Sequence, residues 1–200
     1  IWEYIRDNGR TFDYVFVSRV YQAQCFDRLI RRYAPQAAYI FDTVDVHFVR
    51  ERREAELSHS EEKMRRALMT EKLEITLMAR ADMTIVISSD EKKMLEEQYG
   101  MKRIRHIPQA RKVFGCRESF REREGIVFIG SAHPPNLDAL KFYVEEILPA
   151  LEKRGIDGTL DVIGEALRND IFKKKEYQCV AESTKIRFLG FVENLGDCLD

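Results

Sequence analysis

The stretch that most constrains the fold runs from Gly125 to Leu151, GIVFIGSAHPPNLDALKFYVEEILPAL. Its opening run, Ile126-Val127-Phe128-Ile129, is β-branched and aromatic and is bounded by Gly125 and Gly130, which suits a strand buried on both faces. Gly130 to Asn136 holds glycine, serine, two prolines and asparagine, a turn by composition. Beyond it, Leu137, Leu140, Tyr143, Val144, Ile147 and Leu148 recur at helical spacing. Asn136 is the expected N-cap, because its side-chain oxygen can accept from a free backbone N–H of the first turn. Strand, glycine turn and helix form the first half of a βαβ unit. The N-terminus of such a helix carries free N–H groups and partial positive charge, so it can hold phosphate. A single glycine turn is also compatible with a tight turn and nothing more.

The same alternation extends through the chain. Asp13–Ser18, Ala38–Phe41, Met83–Ser88 and Arg103–Pro108 read as strands in the first part, and Thr159–Gly164 and Ile186–Val192 in the second. Between them, Tyr21, Cys25, Leu29 and Tyr33 are spaced four apart and predict an amphipathic helix that stops before Pro35. Asn8-Gly9 predicts the end of an earlier helix. Residues 48–80 predict two charged helices separated at Ser58-His59-Ser60, with Ser60 capping the second and Met64, Leu68, Leu73, Ile75, Leu77 and Met78 on its apolar face. Ser89 is expected to cap a helix that Gly100 stops, and 168–181 predict a weaker helix. The expected class is α/β, a parallel sheet with helices on both faces. The pattern divides within the polar stretch 109–124 into two halves, 1–115 and 116–200, each an incomplete Rossmann-like unit.

Composition narrows the partners. A formal net charge of -1 supplies no field to draw a polyanion, so nucleic acid is not expected. Cys25, Cys116, Cys179 and Cys198 are too dispersed for a zinc site and fit thiols in a reducing compartment. No apolar run approaches the roughly 20 residues that cross a bilayer, and no signal peptide is visible. The expected location is the cytoplasm. Arg50 to Arg53 and Arg65-Arg66 allow contact with the inner face of a membrane, although their interleaved glutamates predict a solvated face with internal ion pairs. Neither a cofactor nor a metal is expected. Both ends look cut, so the sequence is expected to be an internal piece of a longer chain.

Five segments carry a resemblance. They are FDTVDVHFVRERR (Phe41 to Arg53), ARADMTIVISSDEKKML (Ala79 to Leu95), IRHIPQA (Ile104 to Ala110), the Gly125–Leu151 stretch, and IRFLGFVENL (Ile186 to Leu195). Their order and spacing resemble the retaining glycosyltransferases of family 4, with the GT-B architecture of two facing Rossmann-like domains. The turn HPPN followed by DAL and EEILP is similar to members in polysaccharide assembly. The resemblance implies a nucleotide-sugar donor and a glycan, lipid-linked glycan or protein acceptor. It implies that Gly130 and Ser131 approach the donor diphosphate, together with the helix after Asn136 and with His133. It places Gly164 and Glu165 in the same cleft, and Gly190, Phe191 and Val192 near the base. Asp45 and His47, at a strand end of the first half, would contact the donor sugar or the acceptor and are the candidate catalytic residues.

Three departures qualify this. The family's paired glutamates, two helical turns apart, have no counterpart in the 200 residues. The glycine-rich loop after the family's first strand is missing, and His133, Pro134 and Pro135 stand where relatives place arginine and lysine. Sugar transfer is therefore not expected of this polypeptide alone. A non-catalytic nucleotide-sugar-binding or scaffold domain of the same fold is the alternative, and a two-domain phosphosugar epimerase has weaker support. His47 can equally cap the following helix or pair with Asp45. Asp42 and Asp45 form an acid/base pair only if the chain turns after Phe41, since residues i and i+3 of a strand point to opposite faces. Glu165 would also suit a helix start for its charge alone. His106 and His59 read as structural or solvent-facing.

Overall fold

The computed structural model describes residues 1–110, 115, 119, 121–122, 125–164 and 174–196. It forms two compact units, Ile1–Lys112 and Val113–Asp200. Each is an α/β unit around a small parallel sheet.

In the first unit, helix α1 (Trp2–Asn8) leads to strand β1 (Tyr14–Ser18), α2 (Val20–Tyr33), β2 (Ala38–Asp42), α3 (His47–Leu57) and α4 (Glu61–Arg80). The unit continues with β3 (Met83–Val86), α5 (Ser89–Tyr99) and β4 (Ile104–His106). The four strands lie in sequence order, β1-β2-β3-β4, all parallel. Right-handed crossovers that always step the same way lay their helices on one face. The register shows the consequence. Val17, Phe41, Thr84 and Ile104 form one row, buried in a core with Ala23 and Ile30 of α2, Leu77 and Met78 of α4 and Leu95 of α5. In the neighbouring row on the other face, Phe16 is 57% exposed, while Ile40 and Met83 are half-buried. Helices on both faces are expected; in this unit one face of the sheet is buried and the other is partly exposed at Phe16, Ile40 and Met83.

Several helical details differ from expectation for the same reason, that burial follows the sheet and not the largest side chains. The buried stripe of α2 is Val20, Ala23, Asp27 and Ile30, and the row of Tyr21 and Cys25 faces outward. Asp27 is buried because Arg80 reaches it, 2.8 Å from Nη2 to Oδ2. The buried stripe of α4 is Ala67, Thr70, Glu74, Leu77 and Met78, with Leu68 exposed. Ser60 caps α4 as expected, its Oγ accepting from the Lys63 amide at 3.3 Å. Ser88, not Ser89, caps α5: its extended backbone lets Oγ accept from the amides of Asp90 and Glu91. α5 ends where Gly100 turns left-handed, φ 65°.

In the second unit, β5 (Ile126–Ile129) is followed by α6 (Pro134–Phe142), which widens through a π turn (Tyr143–Ile147) into α7 (Leu148–Glu152). Pro149 accounts for the widening: it has no N–H to give back four residues, and its ring crowds that carbonyl. β6 (Leu160–Ile163), a short turn at Lys175–Tyr177, α8 (Gln178–Glu182) and β7 (Ile186–Gly190) complete the unit. The order is β5-β6-β7, all parallel. Leu160, Val162 and Ile186 are buried with Leu137, Leu140, Leu148 and Val180. β5 is an edge strand and is not buried on both faces as expected; Ile129 is 47% exposed. On the open face Arg187 grips Asp161 of the neighbouring strand with two bonds, 2.5 and 2.7 Å. Most of the stretch expected to join the halves, and much of the weaker helix, lie outside the described residues.

Among the described residues, no helix is long and apolar enough to cross a membrane, and no group of three or more His, Cys, Asp or Glu could hold a metal ion. Cys25 and Cys179 are free thiols.

Candidate functional site

The C-terminal ends of β1 and β2 carry the more elaborate arrangement. The chain does turn after Phe41. Asp42 builds that turn: its carboxylate accepts from the Ser18 hydroxyl (3.1 Å) and from the Val44 amide (3.2 Å). Thr43 is buried, and its hydroxyl donates to the Ile85 carbonyl at 3.0 Å. Val44 has φ 65°, and Arg19, at the adjacent strand end, has φ 74° and ψ 145°. Neither side chain favours such a backbone, and each costs about 1–3 kcal/mol that the surroundings must offset. Strain of this kind concentrates at functional sites.

Asp45 leaves the turn in another direction. Its carboxylate takes Nη1 of Arg50 at 3.0 Å and lies 4.0 Å from Nδ1 of His47. Asp42 and Asp45 thus serve different partners. His47 opens α3, is nearly buried, and meets the edge of the Tyr21 ring at 5.3 Å between centroids. The Arg50 guanidinium lies within 3.0 Å of the imidazole and donates to whichever ring nitrogen lacks a proton. Burial, then the Arg50 charge, push the His47 pKa below 6.5, against the pull of Asp45. His47 is therefore a neutral imidazole at pH 7, able to accept a hydrogen bond or a proton.

The start of α3 is held by carboxylates from other helices. Glu74 of α4, with no exposed surface, accepts the His47 amide through Oε1 (3.2 Å) and the Phe48 amide through Oε2 (3.1 Å). Glu91 of α5 accepts the Val46 amide at 3.1 Å, and its other oxygen is buried without a hydrogen-bond partner among the described residues. Burial raises the Glu74 pKa to about 7, opposed by the two backbone bonds. These carboxylates occupy the helix end that could otherwise hold an anion. Glu74 was not foreseen in the sequence; the available signal was a glutamate within the buried stripe of α4.

Beside His47 lies a cleft of about 190 Å³ lined by Arg50, Glu51, Glu54, Lys63 and Arg66. Its charges are internally paired: Lys63 with Glu54 at 2.8 Å, Arg66 with Glu51 at 3.5 Å. Arg52 pairs with Glu71 and Arg65 with Glu61, so the basic run behaves as the expected ion-paired face. His59 sits exposed in the turn before α4, and His106 reaches the Ile87 carbonyl from an exposed position.

In the second unit, Gly130, Gly164 and Gly190 lie side by side at adjacent strand ends. Gly130 donates to the Ile163 carbonyl (3.0 Å) and Gly164 to the Gly190 carbonyl (2.7 Å). Gly130 is closely approached: a Cβ there would lie 2.8 Å from the Phe128 ring and 2.9 Å from the Asn136 amide nitrogen, so one or both side chains would have to shift. Asn136 is not the N-cap. His133 holds that position, and the Asn136 side chain donates to the Ser131 carbonyl at 2.9 Å, pinning the turn. The helix starts early because proline suits its first positions. That has a chemical cost. Pro134 and Pro135 have no N–H, and the amides of Asn136 and Leu137 both turn back to the His133 carbonyl. The first turn of α6 thus offers no free backbone donor, contrary to the expected phosphate cradle. The Ser131 hydroxyl and the exposed His133 ring remain available. Phe191 is exposed and Val192 half-buried just past β7, and Glu165 lies outside the described residues. No protein-family model and no curated protein matches the chain.

Proposed function

We propose that the chain is a nucleotide-sugar-binding part of a retaining glycosyltransferase of GT-B type. In this reading the second unit takes the donor. Ser131 and His133 meet the diphosphate, and Gly164, Gly190, Phe191 and Val192 border the nucleotide. In the first unit His47 and Asp45 contact the sugar or the acceptor, a glycan, a lipid-linked glycan or a protein. The observation that carries the reading is positional. The segments that resemble the family, FDTVDVH and GIVFIGSAHPPN, fall at the C-terminal ends of parallel strands and in the loops that follow, where open α/β sheets bind ligands. A cytoplasmic location, with contact at a membrane face through Arg50 to Arg53 and Arg65-Arg66, belongs to the same proposal.

A second reading is favoured by two specific observations. The α6 start has no free amide, and Asp45 and His47 are both engaged by Arg50. A domain that keeps the fold without the chemistry would carry such features. Calorimetry with a panel of nucleotide diphosphates and nucleotide sugars separates the two. The first reading predicts saturable binding of at least one nucleotide sugar, weakened by replacing Ser131 and His133 together. Absence of heat with every donor leaves only the scaffold reading.

A further inference from the structure

Glu74 is a fully buried ionisable group with no part in the proposed function. It is a charged residue on the buried stripe of a 20-residue helix, and both its oxygens are spent on another helix. Those two bonds land on the first two amides of α3, those of His47 and Phe48, with only Val46 between them and Asp45. A helix start normally finds its acceptor in its own preceding residue; here Val46 has none to offer. The position of α3, and with it the Asp45–Arg50–His47 group, is therefore set from α4.

We propose that Glu74 is the positioning residue of the Asp45–His47 site and that its protonation is a switch: ionised, it fixes the start of α3 through both oxygens; protonated, it releases one amide. A carboxylate accepts at both oxygens, whereas a carboxylic acid turns one oxygen into a donor. One amide, of His47 or of Phe48, then loses its acceptor, and the negative charge facing the helix dipole vanishes. The new O–H needs an acceptor, and Glu91, whose charge acts on Glu74, has a buried oxygen with no partner among the described residues.

The surrounding charges determine when this happens. From the α3 side Glu74 faces Asp45, with His47 and Arg50 beside it; from α5 it faces Glu91. On its own helix, Glu71 is one turn away and is engaged by Arg52 of α3 and Tyr99 of α5. Arg19 and Tyr21, at the start of α2, act on His47. Burial and the acids Asp45 and Glu91 outweigh the two backbone bonds, and the transition falls at about 7. The switch therefore operates near neutrality, which an exposed glutamate would not do.

The assignment of a ligand role to Asp45 and His47 rests on the proposed function; the switch itself does not, and its test needs no substrate. The experiment is an amide NMR titration of the full chain from about pH 5 to about pH 9, a span that brackets glutamate and histidine transitions. The expected result is that the His47 and Phe48 amides shift together with a midpoint of about 7. The His47 ring should titrate separately, below 6.5. Glu74→Gln should abolish the amide transition and leave the ring transition. If that variant does not fold, His47→Gln replaces it: the Phe48 amide must still titrate with the wild-type midpoint. Amides that do not move across the span overturn the proposal. So does a Phe48 transition that persists in Glu74→Gln or disappears in His47→Gln. A working switch in a chain that binds no nucleotide sugar would sink the functional reading and leave this one standing.

Discussion

Glu74 on α4 accepts the His47 amide at the first position of α3, 3.2 Å from Oε1 to nitrogen, and its other oxygen accepts Phe48. The charged neighbours that act on it, Asp45 and Glu91, are themselves acids. Keeping a charge in this place costs stability, and the arrangement makes that cost measurable.

The folded-state pKa of Glu74 is raised from 4.5 to about 7. A raised acid binds its proton more tightly when folded. Its contribution to stability is therefore complete below about pH 4.5 and is lost as pH rises through about 7. The full loss is about 3 kcal/mol. Urea unfolding should show wild type losing stability relative to Glu74→Gln between these limits. Parallel profiles for the two proteins would show that Glu74 does not titrate in this range. Glu74→Ala removes the remaining acceptor at the start of α3, the protonated wild type accepting only one of the two amides, and should lose about 1–3 kcal/mol at pH 5.

The one-sided cover of the first sheet predicts a contrast within a single pair of strands. Phe41 is fully buried and Phe16 is 57% exposed. Phe41→Ala should cost about 3–5 kcal/mol and Phe16→Ala less than about 1 kcal/mol, both by chemical denaturation. Equal losses would mean that a second layer covers the open face.

Arg19 occupies a backbone region that suits glycine, φ 74° and ψ 145°. Arg19→Gly should raise stability by about 1 kcal/mol in thermal unfolding through relief of that strain. A loss of stability would show that the Arg19 side chain contributes more than its backbone costs.

Gly130→Ala brings a Cβ within 3.0 Å of both the Phe128 ring and the Asn136 side chain. It should cost about 1–3 kcal/mol and release the Ser131 turn. A variant as stable as wild type, with unchanged Ser131 and Asn136 signals, would refute the close approach.

Much of the strand and helix order was legible, because β-branched runs such as Ile126–Ile129 and caps such as Ser60 act locally. The layer arrangement was not. Whether a strand is covered on one face or two depends on the direction of successive crossovers, which Ile40 and Phe41 do not encode by themselves. The Tyr21–Cys25 row misled for a related reason: α2 buries small residues, Val20 and Ala23, against the sheet. Asp42, Asp45 and His47 were visible as a polar group at a strand end. The carboxylates that hold the start of α3, Glu74 on the His47 amide and Glu91 on the Val46 amide, come from 27 and 45 residues further along and become neighbours only through folding. At Gly130 the turn is legible, but the effect of Pro134 and Pro135 on the helix donors is not fixed by their positions alone. It follows from the helix beginning one residue after His133.

The most direct test of the proposed function is an amide-resolved titration of the chain with nucleotide sugars. The account predicts that at least one donor shifts the Gly130, Ser131, His133, Gly190 and Phe191 signals in a saturable way, while α6 amides beyond Leu137 stay unmoved. Saturating shifts confined to other residues, or none with any donor, would contradict it.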